Sequence, residues 1–281
     1  MTFDPDPTPV VRVAKPVDPA SGPPLLFVHG MCHAAWCWEE HFLPWFARRG
    51  YPAFALSLRG HGGSVSRKPL RSLTLADYVA DVTRVVDTMP APPVLIGHSM
   101  GGLVVQIYLE MRRHPAALLL ASVPPHGMLP ATLRFARRHF RTFLHVNRTR
   151  SLYPLVATPE RCRALLFSPD LPDNRLARYH ALMTDESYRA YWDGLGLHLP
   201  RPRRIDTPIG VMGAGDDALV TVRENQRTAQ VYGSEAIIVP EMAHDMMLDS
   251  GWERVADEIL HWLRASGLGP AGEGEREDMW V

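Results

Sequence analysis

Lysine is nearly missing from this chain. It occurs only at Lys15 and Lys68, which leaves arginine to supply almost all of the 30 basic residues. Together with 26 prolines and abundant alanine, this is the composition a GC-rich bacterial genome produces. Cysteine is scarce too. Cys32, Cys37 and Cys162 make an odd count without CxxC spacing, which argues against a disulfide framework or a zinc ribbon. Cys32 and Cys37 lie in one expected loop and could pair, but reduced thiols in a cytoplasmic protein are the expectation. An excess of one charge is also missing. The 30 basic and 30 acidic residues cancel, so overall charge points to neither nucleic acid nor a membrane surface. No apolar run approaches the roughly 18 residues of a membrane span. Residues 1–18 alternate Asp and Pro and have no apolar centre, unlike a secretory signal.

What is present is a chain of 281 residues, 46% apolar, enough for one large α/β domain with an inserted segment. The proline-rich start is expected to be an extended, poorly ordered arm. Residues 10–13 read as an edge strand. Six short apolar runs follow: 25–28, 53–56, 94–96, 117–120, 209–212 and 236–239. Each lacks polar alternation and is bounded by turn residues, as in parallel strands buried on both faces. Helical spacing fills the intervals at 38–49, 75–89, 101–113 and 252–265. Thr74 is placed to cap the second, where Tyr78, Val82, Val85 and Val86 share a face. Strands alternating with helices predict a doubly wound sheet.

The alternation fails once. From Pro124 to about Arg204 no strand-like run occurs, and about 80 residues are too many for a structureless loop in a compact domain. The expectation is a discontinuous core, 1–124 and 205–266, carrying a helical cap at 125–204. The cap's large apolar groups, such as Phe143, Leu165 and Trp192, need a surface to bury against. Its arginines, including Arg134, Arg137, Arg138 and Arg141, are read first as a solvated face, with contact to an acidic substrate or a lipid headgroup as the alternative. The Gly- and Glu-rich tail 267–281 is expected to be disordered.

The sharpest local signal is Gly97-His98-Ser99-Met100-Gly101-Gly102, which follows an expected strand and opens a helix. Gly-x-Ser-x-Gly in that context is a nucleophile elbow. The serine occupies a strained turn, Gly97 and Gly101 spare the close-packed neighbours a side chain, and the helix N-terminus faces a developing oxyanion. Ser99 is therefore the expected nucleophile. The turn at His29-Gly30-Met31 can present the Met31 amide, and the elbow the Met100 amide, as two oxyanion donors. Losing one such donor typically costs about 3 kcal/mol of barrier. His29 is read as structural. A base must come late in the chain, and His244 lies between an expected strand and the last helix. The acid lies between them in Gly213-Ala214-Gly215-Asp216-Asp217. Asp216 is the expected acid and Asp217 its rival. No carboxylate follows the run at 117–122. The glycine-rich loop 58–64 lacks the Lys-Ser/Thr of a phosphate cradle and is read as a tight turn. No metal site is expected, since His29, His33 and His61 fall on separate loops and no HExxH occurs.

Together these motifs resemble the α/β-hydrolase superfamily across residues 25–122 and 205–264. Within it, residues 29–38 look like the plant methylesterase and hydroxynitrile lyase branch, whose motif reads His-Gly-x-x-His-Gly-x-Trp. Ala34 here replaces a glycine, and Ser57 stands where the superfamily often has aspartate before Arg-Gly-His-Gly. The resemblance implies an eight-stranded, mostly parallel sheet, a cap, no cofactor, and a small-molecule substrate; the first hairpin is expected to be shortened, because its strands are hard to find in this sequence. The implied reaction is hydrolysis of a carboxylic ester through an acyl-enzyme. Thioester and C–C hydrolysis, lyase, acyl-transfer and cyclase chemistry use the same triad and stay open, as does a non-catalytic receptor.

Overall fold

Seven strands form one sheet in the computed structural model, which describes residues 8–16 and 22–270. Their order is β1-β3-β2-β4-β5-β6-β7. The strands are β1 Val11–Ala14, β2 Leu25–Val28, β3 Ala53–Leu56, β4 Val94–His98, β5 Ala117–Leu120, β6 Ile209–Ala214 and β7 Ala236–Val239. All neighbours run parallel except β1, which pairs antiparallel with β3. The described residues thus form seven strands where eight were expected, with β1 closing the edge alone.

The unbroken apolar runs have a direct physical reason. Successive strand side chains point to opposite faces, and both faces are covered. Phe27, Ile96 and Leu120 pack with α1 Trp36–Glu39, α2 Phe42–Ala47 and α11 Trp252–Ala265. Val28, Leu95 and Leu119 pack with α3 Leu75–Asp87 and α4 Met100–Tyr108. The helix expected at 38–49 is two short ones, because His41 leaves helical geometry at φ −130°, ψ −57°. The helix expected at 101–113 ends at Tyr108. At α3, Thr74 caps as expected and Asp77 answers it, completing a capping box.

Between β5 and β6 the chain forms α5 Leu129–Arg138, α6 Phe140–Thr149, α7 Pro159–Leu166, α8 Asp173–Leu182 and α9 Tyr188–Trp192, with no strand. α10 Val222–Val231 then joins β6 to β7. Among the described residues no helix is long and apolar enough to cross a membrane. Residues 1–7 and 17–18 of the expected arm and residues 271–281 of the expected tail lie outside the described residues. The tail's first residues are docked: the Leu268 amide donates to the Leu263 carbonyl, and its side chain packs on the core.

Candidate active site

Parallel strands deliver their following loops to one edge of the sheet, where ligands bind in open α/β folds. β4, β6 and β7 bring Ser99, Asp217 and His244 together there. Ser99 sits between β4 and α4 at φ 51°, ψ −120°, a conformation that costs a side-chain-bearing residue of order 1–3 kcal/mol. The crowding around it explains the neighbouring glycines. A Cβ on Gly101 would lie 2.4 Å from the His29 carbonyl oxygen, and one on Gly97 2.7 Å from Gly102 Cα. Gly30 runs close beneath the site; a Cβ there would lie 2.9 Å from Ser99 Cβ.

Ser99 Oγ lies 2.9 Å from His244 Nε2, and His244 Nδ1 lies 2.8 Å from Asp217 Oδ2. The carboxylate on His244 is therefore Asp217, not the expected Asp216. The reason is how far the strand runs. β6 pairs with β7 through Ala214, the Gly215 amide donates to Val239, and the Asp216 amide donates to Met242. The chain cannot turn across the strand ends before residue 217, and Asp216 remains exposed. The Leu219 and Val220 amides then donate to Asp217 Oδ1 at 2.7 and 2.9 Å, aiming its other oxygen at the imidazole. Two adjacent aspartates left the register open in the sequence; only the strand pairing resolves it.

The imidazole of His244 is 2% exposed and its carboxylate partner 0%. Burial disfavours the imidazolium, but the Asp217 charge and hydrogen bond outweigh it and hold His244 above its ordinary value of 6.5.

The peptide joining Gly30 to Met31 is also oriented. The Leu58 amide donates to His29 Nε2 at 3.0 Å, so Nδ1 carries the proton and donates to the Gly30 carbonyl at 2.8 Å. In a trans peptide the carbonyl and the next N–H point oppositely. The Gly30 carbonyl is drawn to His29, so the Met31 N–H faces away from it. His29 is fully buried and its proton affinity is held well below normal, chiefly by burial, which fits the structural role expected. Met100 opens α4, where a helix leaves its first amides without intrahelical acceptors.

A second histidine–carboxylate pair lies behind the first and had no sequence signal, because its members are far apart in the chain. His33 Nε2 meets Asp245 Oδ2 at 2.9 Å, and His33 Nδ1 donates to the Met31 carbonyl at 2.7 Å. Burial opposes both charges, yet their mutual attraction prevails: His33 is raised and Asp245 lowered. His98 is different. Burial, then the nearby His244, push it down to about 3. It stays neutral and donates from Nε2 to the His244 carbonyl at 3.0 Å. Ligating atoms of His98, His244 and Asp245 lie within 4.8 Å of one another, a spacing a metal could use. Both His244 nitrogens are engaged by Ser99 and Asp217, so the set as built is a hydrogen-bonded cluster.

Ser99, His33 and His244 open into a cavity of about 140 Å³. Apart from that end its wall is mostly apolar and comes largely from the segment between β5 and β6, including Met128, Phe135, Phe143, Val146 and Leu165. An acyl or alcohol chain attached to a group at Ser99 finds an apolar surround there.

Several proteins are similar to this one. Protein phosphatase methylesterase 1 of Pongo abelii is 32% identical over 129 residues, covering 44% of this chain and 32% of that protein. Methylesterase 1 of Arabidopsis thaliana is 33% identical over 88 residues, covering 31% and 33%. The chain thus spans between about a quarter and a half of the length of the curated relatives it matches. A solved esterase from Rhodococcus sp. ECU1013 superposes with a TM-score of 0.66 at 22% identity, covering 92% of this chain and 94% of the other, a likeness of fold. Residues 25–258 match the model of the alpha/beta hydrolase family, which takes in every strand from β2 to β7 and all three residues of the hydrogen-bonded chain, and the protein belongs to that family.

Proposed function

We propose that the protein is a serine hydrolase that cleaves a carboxylic ester with a hydrophobic part. The reading is carried by the continuous hydrogen-bonded chain from Ser99 Oγ through His244 to Asp217.

The steps follow from these groups. His244 Nε2 takes the hydroxyl proton as Ser99 Oγ attacks the ester carbon. The tetrahedral oxyanion accepts hydrogen bonds from the Met31 and Met100 amides. His244 returns the proton to the departing alkoxide, leaving an acyl ester on Ser99. A water then gives its proton to His244 and attacks the acyl carbon, releasing the acid and restoring the serine. Asp217 holds the tautomer and stabilises the imidazolium without itself taking a proton. The segment 125–204 acts as the cap over this edge and shapes the pocket for the apolar chain. The similarity to methylesterases supports an ester over other carbonyl substrates.

The test is a p-nitrophenyl ester series from acetate to palmitate, with and without a serine-directed phosphonate. Turnover that is lost on stoichiometric labelling of Ser99 is the expected result. Labelling elsewhere, or turnover that survives it, would refute the assignment.

A further inference from the structure

Residues 125–159 contain six arginines and neither aspartate nor glutamate, in a chain whose charges otherwise cancel. Sequence alone reads these arginines first as a solvated face and leaves contact to an acidic substrate or lipid headgroup as the alternative, without choosing which arginines would make it. The fold instead gathers some of them around a concavity. A second cavity, of about 160 Å³, adjoins the first and shares Ala131, Phe135, Leu155, Leu165 and Leu219 with it. Its polar lining is Arg134, Arg138, His139, Thr142 and Arg161, and among the described residues no carboxylate lines it.

These cations are not equivalent. Arg134 is committed: it forks onto both Glu224 oxygens at 2.8 Å and donates to the Leu219 carbonyl. Among the described residues Arg161 has only a carbonyl, that of Pro154 at 3.0 Å, and no carboxylate opposite its charge. Glu160, beside it in the chain, is held by the Thr158 hydroxyl. Arg138, at the end of α5, has no carboxylate partner among the described residues. Two guanidiniums with spare donors and an imidazole therefore face one hollow, which shares apolar wall residues with the cavity that holds Ser99. A guanidinium fork matches the paired oxygens of a carboxylate or phosphate.

Resting on the ester-hydrolase reading above, we infer that the second cavity is an anion subsite, and that the substrate is an amphipathic ester. Its apolar stretch fills the first cavity, and a carboxylate or phosphate at its far end sits among Arg138, Arg161 and His139.

The test compares esters matched in length. On the acyl side, p-nitrophenyl hexanoate is set against the mono-p-nitrophenyl esters of adipic acid and of 6-phosphonohexanoic acid. On the alcohol side, hexyl butyrate is set against the butyrate ester of 6-hydroxyhexanoic acid. The anionic member of at least one pair is expected to win by about tenfold in kcat/KM, through KM, as for a charge-assisted hydrogen bond. The carboxylate and phosphonate arms distinguish the two anions. In the variant Arg138→Ala/Arg161→Ala the anionic-to-neutral ratio is expected to fall toward one. Neutral esters preferred in both pairs, or a ratio unchanged in the variant, would overturn the inference while leaving the hydrolase reading intact. A turnover-independent arm measures decanoate and decanol binding to Ser99→Ala by calorimetry. Tighter binding of decanoate that disappears in the arginine variant supports the subsite even if no ester is cleaved; equal binding overturns it.

Discussion

The two halves of the segment between β5 and β6 are built differently. The rear half, α7 to α9, is welded to the core. Asp245 donates its amide to Leu166, Thr184 donates to Cys32, and Ser187 Oγ donates to Leu73. Tyr78 OH donates to Glu186 Oε1 at 2.6 Å, His61 lies 3.3 Å from Glu186 Oε2, and the Leu75 amide donates to Asp193. Phe167, Leu176 and Tyr179 are buried in the core cluster. The front half, α5 and α6, buries only Val146 within its helices and leaves Leu133, Phe140 and Leu144 exposed. Arg134, a third exposed, ties it to Glu224 beside the site. Local opening free energy follows buried contacts, so the rear half belongs to the fold and the front half is the more easily displaced. Phe135 and Phe143 of the front half nevertheless wall the pocket. Under the proposed function the difference amounts to a division of labour: strand-edge loops would carry the chemistry, the rear half stability, and the front half selectivity.

That division can be broken in order of expected effect. Ser99→Ala is expected to lower kcat by on the order of a millionfold, with the melting temperature nearly unchanged. A small loss of rate would move the chemistry away from the elbow.

Asp217→Asn is expected to cost about four orders of magnitude in kcat, because the imidazole loses its tautomer control. Asp216→Asn should leave the rate within a few-fold of the parent. The reverse ranking would restore Asp216 as the acid. In the proposed mechanism, His244 must be neutral to take the serine proton. Its pKa is held above 6.5, so kcat/KM should fall with decreasing pH along a limb lying above pH 6.5. A limb below that value contradicts the Asp217 pairing.

Glu186→Ala tests the weld. It leaves His61 buried opposite an apolar group, and removing one member of a buried pair typically costs about 3–5 kcal/mol in denaturant unfolding. The pair also dictates a pH dependence. Burial opposes its charges, but His61 is raised above 6.5 by Glu186, and Glu186 is lowered below 4.5 by His61. The His61 contribution is complete below 6.5 and lost as pH rises through its folded value. The Glu186 contribution is complete above 4.5 and lost as pH falls through its folded value. Both are therefore complete between 4.5 and 6.5. Glu186→Gln should flatten this profile; an unchanged profile would remove the pair from the account.

The front half should give the smallest effects on stability. Phe143→Ala is expected to shift the preferred ester chain length and raise KM for long chains several-fold, with kcat for acetate little altered. Arg134→Ala should cost less in unfolding than Glu186→Ala, because Arg134 is a third exposed and Glu224 keeps its Thr221 hydrogen bonds, while amide exchange in α5 and α6 accelerates ahead of α8. Uniform exchange across all five helices would dissolve the distinction between the halves.

Much of this architecture was written locally. Unbroken apolar runs predicted strands with two covered faces because period and burial are properties of a few neighbouring residues. Gly97 through Gly101 predicted the elbow because a strained turn tolerates few alternatives, and His244 followed from its position late in the chain between a strand and the last helix. What tertiary structure decided are the choices that depend on distant partners. Asp217 rather than Asp216 meets His244 because β6 stays paired to β7 through Ala214, a register that no window around the two aspartates contains. His33 and Asp245, or His61 and Glu186, are pairs only after the chain has folded, since each member alone reads as an ordinary loop residue. The arginines between β5 and β6 cannot be sorted into solvated face and anion contact until α5 and α7 bring Arg138 and Arg161 to one hollow. Local pattern follows from steric and hydrophobic rules acting over one turn or one strand, whereas a charge acquires its meaning from whatever the fold sets opposite it.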